Sequence, residues 1–170
     1  MTPNHEIERL TNDAEIAVSR AEVYSEAAKI AEYAGAALSG EGAAEAREKL
    51  LFTDAAGEDL ARMWEEACVA ADATLLEWIG SADGGELAAG GEEWRRTLRL
   101  GSFYDGWLRQ SAASALRSYF IYSVLSDWFG LQGLSDAAAS YGTSAAAFMS
   151  AAQRLLRGRR KKARIRQRWL

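Results

Sequence analysis

The chain has 170 residues, of which 49% are hydrophobic and 26% are charged, and its 24 acids and 20 bases give a formal net charge of −4. This apolar content excludes wholesale disorder. It suffices for one packed domain that needs no disulfide bond or bound metal to be stable. A single Cys excludes an intrachain disulfide framework, and one His with one Cys excludes multi-His and Cys-cluster metal sites. We therefore expect no metal and no other cofactor.

Targeting signals are not found in the sequence. The first ten residues, MTPNHEIERL, lack the basic start and the apolar run of a secretory signal peptide. The most apolar stretch, residues 118–130, is too short to span a bilayer and contains Asp127. Together with the unpaired Cys68, these features predict a soluble protein that works or assembles inside a cell.

The first half of the chain predicts helices, because it is rich in Ala and has no Pro after position 3. Residues recur at helical spacing from about Pro3 to Leu38, which predicts a long first helix. After a Gly-containing break at 39–42, a short helix is expected at 43–52. Thr53 or Asp54 is the predicted N-cap of a third helix that ends near Ile79.

The second half begins with residues 80–91, whose five glycines predict a flexible loop. Residues 92–100 are expected to form a short extended or irregular connector. Ser102 or Asp105 is the predicted cap of the most apolar helix, which ends near Phe129 and should be central in the fold. A last helix is expected from Ser135 or Asp136 to about 156. The predicted fold is an all-α bundle of four to five helices, residues 1–156, with a basic C-terminal tail, residues 157–170.

Catalytic chemistry is poorly supported by the sequence, so we expect no enzyme. A lone His5 offers neither a zinc pair nor a catalytic triad. Cys68 lies between apolar residues on a helix and is predicted to be a buried, unreactive thiol. Asp72 and Asp127 sit beside apolar positions, and a small helical enzyme that uses one of them is an alternative interpretation.

Charge is divided unevenly along the chain. Residues 1–93 carry 21 acids and 6 bases, whereas residues 94–170 carry 3 acids and 14 bases. The predicted partner- or phosphate-binding residues are the bases and the terminal Trp of the tail: Arg157, Arg159, Arg160, Lys161, Lys162, Arg164, Arg166, Arg168 and Trp169. Arg95, Arg96 and Arg99 form a secondary basic patch.

Such a tail could be a solubilising segment with no dedicated partner, and three kinds of partner also fit it. It could bind the phosphates of a nucleic acid, dock on the acidic half of a neighbouring copy, or lie on an anionic membrane, of which the membrane is the least expected. Surfaces of opposite sign on one molecule favour head-to-tail contacts between copies, which close into rings or continue as filaments. A homo-oligomer is therefore the main prediction, and a nucleic-acid-binding accessory protein is the alternative.

The order of features in residues 94–166 supplies a family resemblance. Trp94 and the LRL segment at 98–100 are followed by the helix ending SYFIYSVLSDWFG, by an Ala/Tyr helix, and by LLRGRRKKARIR. This order resembles small helical head–tail adaptor (connector, neck) proteins of bacteriophages and prophages. The resemblance implies a non-enzymatic virion subunit that forms a ring, contacts portal and neck proteins, and is found in the bacterial cytoplasm or in a virion.

Overall fold

The computed structural model describes residues 12–79, 91–100, 104 and 106–158. Its elements follow in chain order: β1 Asn12–Ser19, α1 Arg20–Ala37, α2 Ala43–Leu50, a 3-10 turn Asp54–Ala56, α3 Gly57–Leu75, β2 Glu93–Leu100, α4 Leu108–Leu131 and α5 Ser135–Leu156. The predicted mostly helical class is confirmed. The prediction of a purely α bundle is wrong, because two strands pair beside the helices.

The two strands form an antiparallel sheet from Asn12 opposite Leu100 to Ser19 opposite Glu93. Successive side chains of a strand point to opposite faces, so Ala14, Ile16 and Val18 are buried while the residues between them face solvent. The predicted first helix is therefore wrong over 12–19, and its residues 3–11 lie outside the described ranges. The expected extended connector at 92–100 is confirmed as β2.

The junction between β1 and α1 is closed by local hydrogen bonds. Ser19 keeps an extended backbone, and its Oγ accepts from the Glu22 amide at 3.5 Å, as an N-cap residue does. The Arg20 amide donates to the Glu92 carbonyl at 2.9 Å, which ties the start of α1 to the start of β2. The chain thus turns from strand to helix without an intervening loop.

Helix α4 is the central element, as expected from its apolar sequence. Large residues on several of its sides are buried, among them Leu116, Phe120, Val124 and Leu125. Its residues contact α1, α3, α5 and β1, so α4 holds the domain together. Burial of this much apolar side-chain area is the main favourable term for folding, at about 25 cal/mol per Å².

The helix boundaries correct several predicted caps. The residue that precedes α3 is Ala56, whose methyl side chain makes no capping bond, so the Thr53 or Asp54 cap is wrong. The helix ends at Leu75 rather than near 79. Trp107 precedes α4, and the predicted caps Ser102 and Asp105 lie outside the described residues.

Candidate functional site

The two ends of α4 define two ends of the molecule. With 24 residues and a rise of 1.5 Å per residue, α4 is about 36 Å long. Near its last turn, the Trp128 indole N–H donates to the Leu50 carbonyl at 3.0 Å, which places α2 there. At its first turn, Leu108 shares a groove of about 580 Å³ with Leu155 and Gly158 at the end of α5.

The end of the molecule at the first turn of α4 carries exposed bases and an exposed aromatic ring. Trp107, the residue before α4, is 63% exposed. It borders the groove that Arg154 also lines, and it shares a second groove with Arg109. Residues 157–170, the basic tail, begin at this point. We call Trp107, Arg109, Arg154 and Arg157, after which the rest of the tail follows in sequence, the basic end.

Few ion pairs with described residues neutralise the positive charges of the basic end. The side chains of Arg109 and Arg154 have no ion-pair partner within the described ranges. Arg157 lies 3.7 Å from Glu77, and its guanidinium stands 5.8 Å from the centre of the Trp78 ring. Such exposed pairs stabilise a protein by only about 0–1 kcal/mol, so Arg157 remains able to contact a partner.

The opposite end carries mainly carboxylates. Here α2, the first half of α3 and the last turns of α4 meet, and we call their acids, with Glu41 just before α2, the acidic end: Glu41, Glu45, Glu48, Glu58, Asp59, Glu65, Glu66 and Asp127. Bases at this end are engaged locally. Lys49 pairs with Glu45 at 2.7 Å, and Arg47 donates to the carbonyls of Gly35 and Leu38 at the end of α1.

The predicted secondary basic patch is divided between two sides of β2. Arg96 points inward, where it binds Asp72, while Arg95 lies on the outer face and pairs with Glu15 at 2.5 Å and Glu93 at 2.6 Å. Arg99 stands opposite Asp13 in the sheet and also has an internal interaction. The Arg96 charge of the predicted patch therefore belongs to the domain interior, while Arg95 and Arg99 lie on the exposed face of β2.

Asp72, one of the two candidate catalytic acids, is held in a buried structural cluster. Its Oδ1 accepts from Arg96 Nε at 2.8 Å and from Trp94 Nε1 at 3.0 Å, and its Oδ2 accepts from Arg96 Nη2 at 2.7 Å. Only 7% of Asp72 is exposed. Because both oxygens accept hydrogen bonds from β2, the cluster fastens α3 to β2.

Asp127, the other candidate, is exposed and lines a groove of about 450 Å³ between α3 and α5, floored by α4. Partial burial there, followed by the repulsion of the Glu66 carboxylate, raises the pKa of Asp127, against a lowering by Arg62. Among the described residues Asp127 has no hydrogen-bond or ion-pair partner. The groove therefore holds a carboxylate that has no ion-pair partner among the described residues.

Cys68 is buried on α3, as predicted. Burial, followed by the charge of Asp72, raises the pKa of its thiol to about 12. The thiol is thus protonated at neutral pH and is a packing residue. Within the described ranges, no three His, Cys, Asp or Glu side chains lie close enough together to hold a metal ion.

Most of the predicted tail residues lie outside the described ranges. These residues are Arg159, Arg160, Lys161, Lys162, Arg164, Arg166, Arg168 and Trp169. Sequence reasoning missed Trp107, Arg109 and Arg154 as parts of the same end. A signal was available, because two helices joined by a short turn run antiparallel, and the start of α4 then lies beside the end of α5.

Comparisons with known proteins add no family. No protein-family model matches the chain, and no curated protein or solved structure is detectably similar to it. Of the helices in the described ranges, none is long and apolar enough to cross a membrane.

Proposed function

We propose that this protein is a non-enzymatic structural subunit that assembles with copies of itself, with the basic end of one copy against the acidic end of the next. The observation that carries the proposal is the position of the two charge sets. The acids of α2 and of the first half of α3 lie near the last turn of α4, whereas Arg109, Arg154 and Arg157, after which the rest of the tail follows in sequence, lie near its first turn, about 36 Å away.

Complementary surfaces at opposite ends favour a heterologous contact. Such a contact uses two different patches of each copy, so it closes into a ring or continues as a filament. Exposed charges mainly steer the encounter and set the register. Trp107 adds an apolar anchor at the same end, and Trp is enriched among the residues that contribute most to binding energy.

The finer proposal is a ring in the head–tail neck of a bacteriophage, with portal and other neck proteins as further partners. It rests on the resemblance of residues 94–166 to head–tail adaptor proteins. The protein would then be found in the bacterial cytoplasm or in the virion. A mostly helical chain without an arranged catalytic group in its described part is compatible with that role.

Sedimentation velocity of the full chain tests the assembly. We expect oligomers at low salt that dissociate as salt is raised, because exposed charges are screened over about 8–10 Å at physiological ionic strength. A full-length variant with Gln in place of the seven bases of residues 159–168 should be monomeric. Lys29→Gln, which removes an exposed base of α1, is the control and should assemble normally.

Electron microscopy of the concentrated protein, alone and with a portal protein, should show rings. A chain that stays monomeric at low salt and high concentration refutes the assembly proposal. Assembly that survives loss of the tail charges refutes the assigned contact.

A nucleic-acid-binding accessory protein is the second candidate, and the geometry of Trp107 favours it. An exposed ring beside Arg109 and Arg154, followed by the basic tail, resembles the combination of stacking surface and cations that binds single strands. Membrane binding by the tail is the third and least supported option, since it rests only on the tail composition.

Fluorescence anisotropy with a labelled single-stranded oligonucleotide tests the second candidate. The affinity should fall steeply with salt, because each phosphate contact releases counterions. Trp107→Ala should weaken binding by about 1–3 kcal/mol if a base stacks on this ring. Equal binding by the wild type and the variant with the neutralised tail would exclude this function.

A further inference from the structure

We infer that the groove between α3 and α5, with α4 as its floor, is the receptor for the basic tail of a neighbouring copy. This inference rests on the proposed assembly and specifies where the tail binds. Tyr119, Ser123 and Asp127 of α4 form the floor, Thr74 borders it from α3, and residues of α5 form the other wall.

The floor of the groove carries one carboxylate, Asp127, and the residues that line it from α5 are uncharged. Asp127 lies in it without an ion-pair partner, and Glu66 of α3 is close enough to Asp127 to repel its charge. Arg62 bonds Glu66 at 3.3 Å but also bonds Asp59 at 3.3 Å, so it is shared between these two acids. A basic side chain from another molecule would therefore gain ion pairs with Asp127 and Glu66, whose charges the chain itself neutralises only in part.

The α5 wall offers close approach without opposing charge. The α5 sequence has no acid or base between Asp136 and Arg154. The groove is lined on this side by Gly142, Ala146 and Ser150, whose side chains are small. A peptide backbone could lie close to such a wall, while its long basic side chains reach across toward α3 and α4.

The tail has the complementary chemistry. Its residues after Gly158, RRKKARIRQRWL, contain seven bases and no acid. Ala163 and Ile165 alternate with Arg164 and Arg166, which combines modest apolar area with two guanidinium groups. Arg is the favoured partner for a carboxylate because its planar group forms two parallel hydrogen bonds.

The position of Gly158 favours the tail of a neighbour over the chain's own tail. Gly158 shares a groove with Ala151 and Leu155 on one side of α5, whereas Ala146 faces the receptor groove on another side. Nine residues separate Ala146 from Leu155, which corresponds to about half a turn around the helix at 100° per residue. The tail therefore begins on the side of α5 that faces away from the groove.

Disulfide trapping in the full-length chain tests the inference. Ala146→Cys places a thiol in the groove, and Ile165→Cys places one in the tail. Ala147→Cys with Ile165→Cys is the matched control, because Ala147 is exposed but does not line the groove. Native Cys68 is buried in all variants and stays outside the reaction.

We expect the Ala146 pair to form covalent dimers under mild oxidation about tenfold faster than the control, because docking raises the effective concentration of the two thiols. Adding Asp127→Asn should remove most of this advantage. Equal rates for the Ala146 and Ala147 pairs would overturn the inference. A bond formed within one chain, seen as a monomer of altered mobility without reductant, would also overturn it.

Sedimentation of the unmodified protein under the same conditions separates this inference from the proposed function. Oligomers in solution together with equal trapping rates would reject only the groove as the receptor. A protein that is monomeric throughout would reject the assembly proposal and the receptor together.

Discussion

Replacing Asp72 by Ala should lower the free energy of unfolding by about 3–5 kcal/mol, the usual loss when one partner of a buried ion pair is removed. The effect follows from what the substitution leaves behind. The Arg96 side chain is 13% exposed, and its charge would lose both carboxylate oxygens. The Trp94 indole N–H, at 3.0 Å from Oδ1, would lose its acceptor as well.

Several features of the cluster place the expected loss well above that of a surface pair. Three donor atoms converge on two oxygens inside the domain, and an unsatisfied buried donor alone costs about 1–3 kcal/mol. The pair also spans 24 residues and joins α3 to β2, so its loss loosens a tertiary contact. Replacing both Asp72 and Arg96 by apolar residues should recover much of the stability, since no charge then remains buried.

Urea unfolding followed by far-UV circular dichroism measures the change. Arg95→Ala is the control, because Arg95 lies on the same strand in exposed pairs that contribute about 0–1 kcal/mol. The slope of free energy against urea should be the same for all variants, which shows that the change is one of stability. If Asp72→Ala destabilises the protein no more than Arg95→Ala, the cluster does not fasten α3 to β2.

The remaining predictions concern three single side chains. Trp128→Phe removes the indole N–H that bonds the Leu50 carbonyl and should cost about 1–3 kcal/mol in urea unfolding, with an unchanged midpoint refuting the bond's role. Iodoacetamide at pH 8 should label Cys68 only after unfolding, since a pKa of about 12 leaves about one thiol in ten thousand ionised; rapid native labelling would contradict this. Asp127→Asn should raise stability at pH 7, because a raised native pKa makes the ionised form unfavourable in the fold. That difference should vanish as pH falls below the ordinary Asp pKa, and a difference that persists there would contradict the assignment.

The helical part of the fold could be predicted because local sequence and tertiary packing agree there. In α3, Leu60, Trp64, Ala67, Ala71 and Leu75 follow helical spacing, and all five are buried. The aromatic content of α4 likewise indicated a helix surrounded by others. In such segments the apolar pattern alone determines which face is buried.

Strand β1 could not be predicted because its pattern fits two structures. Residues 12–19, NDAEIAVS, alternate between buried and exposed positions, yet Ala14 and Ala17 also continue the Ala spacing of α1. The deciding contact is with β2, which lies about 80 residues later in the chain. Pairing at that distance is a tertiary property that a local window does not contain.

The candidate site was predictable in charge but not in geometry. The sequence alone identified an acidic first half and a basic tail. It did not identify the contribution of Trp107 and Arg154 to the basic end, because that depends on the antiparallel packing of α4 and α5. It also treated Asp72 and Asp127 alike, because the residues that bond Asp72 lie in β2, more than 20 positions away, and a local window does not show that Asp127 lacks such partners among the described residues.

Asp72 and Asp127 differ in the partners that the domain provides for each carboxylate. Where the domain needs a carboxylate for its own stability, at Asp72, it surrounds the group with Arg96 and Trp94. At Asp127, partial burial and then the charge of Glu66 raise the pKa against a lowering by Arg62, and the carboxylate has no ion-pair partner among the described residues, so we expect an amide to be more favourable there for folding. Residues that oppose stability in this way are expected at functional positions. A cation from outside the domain would remove the penalty, and the seven bases of the tail on a neighbouring copy are a source of that cation within the same sequence.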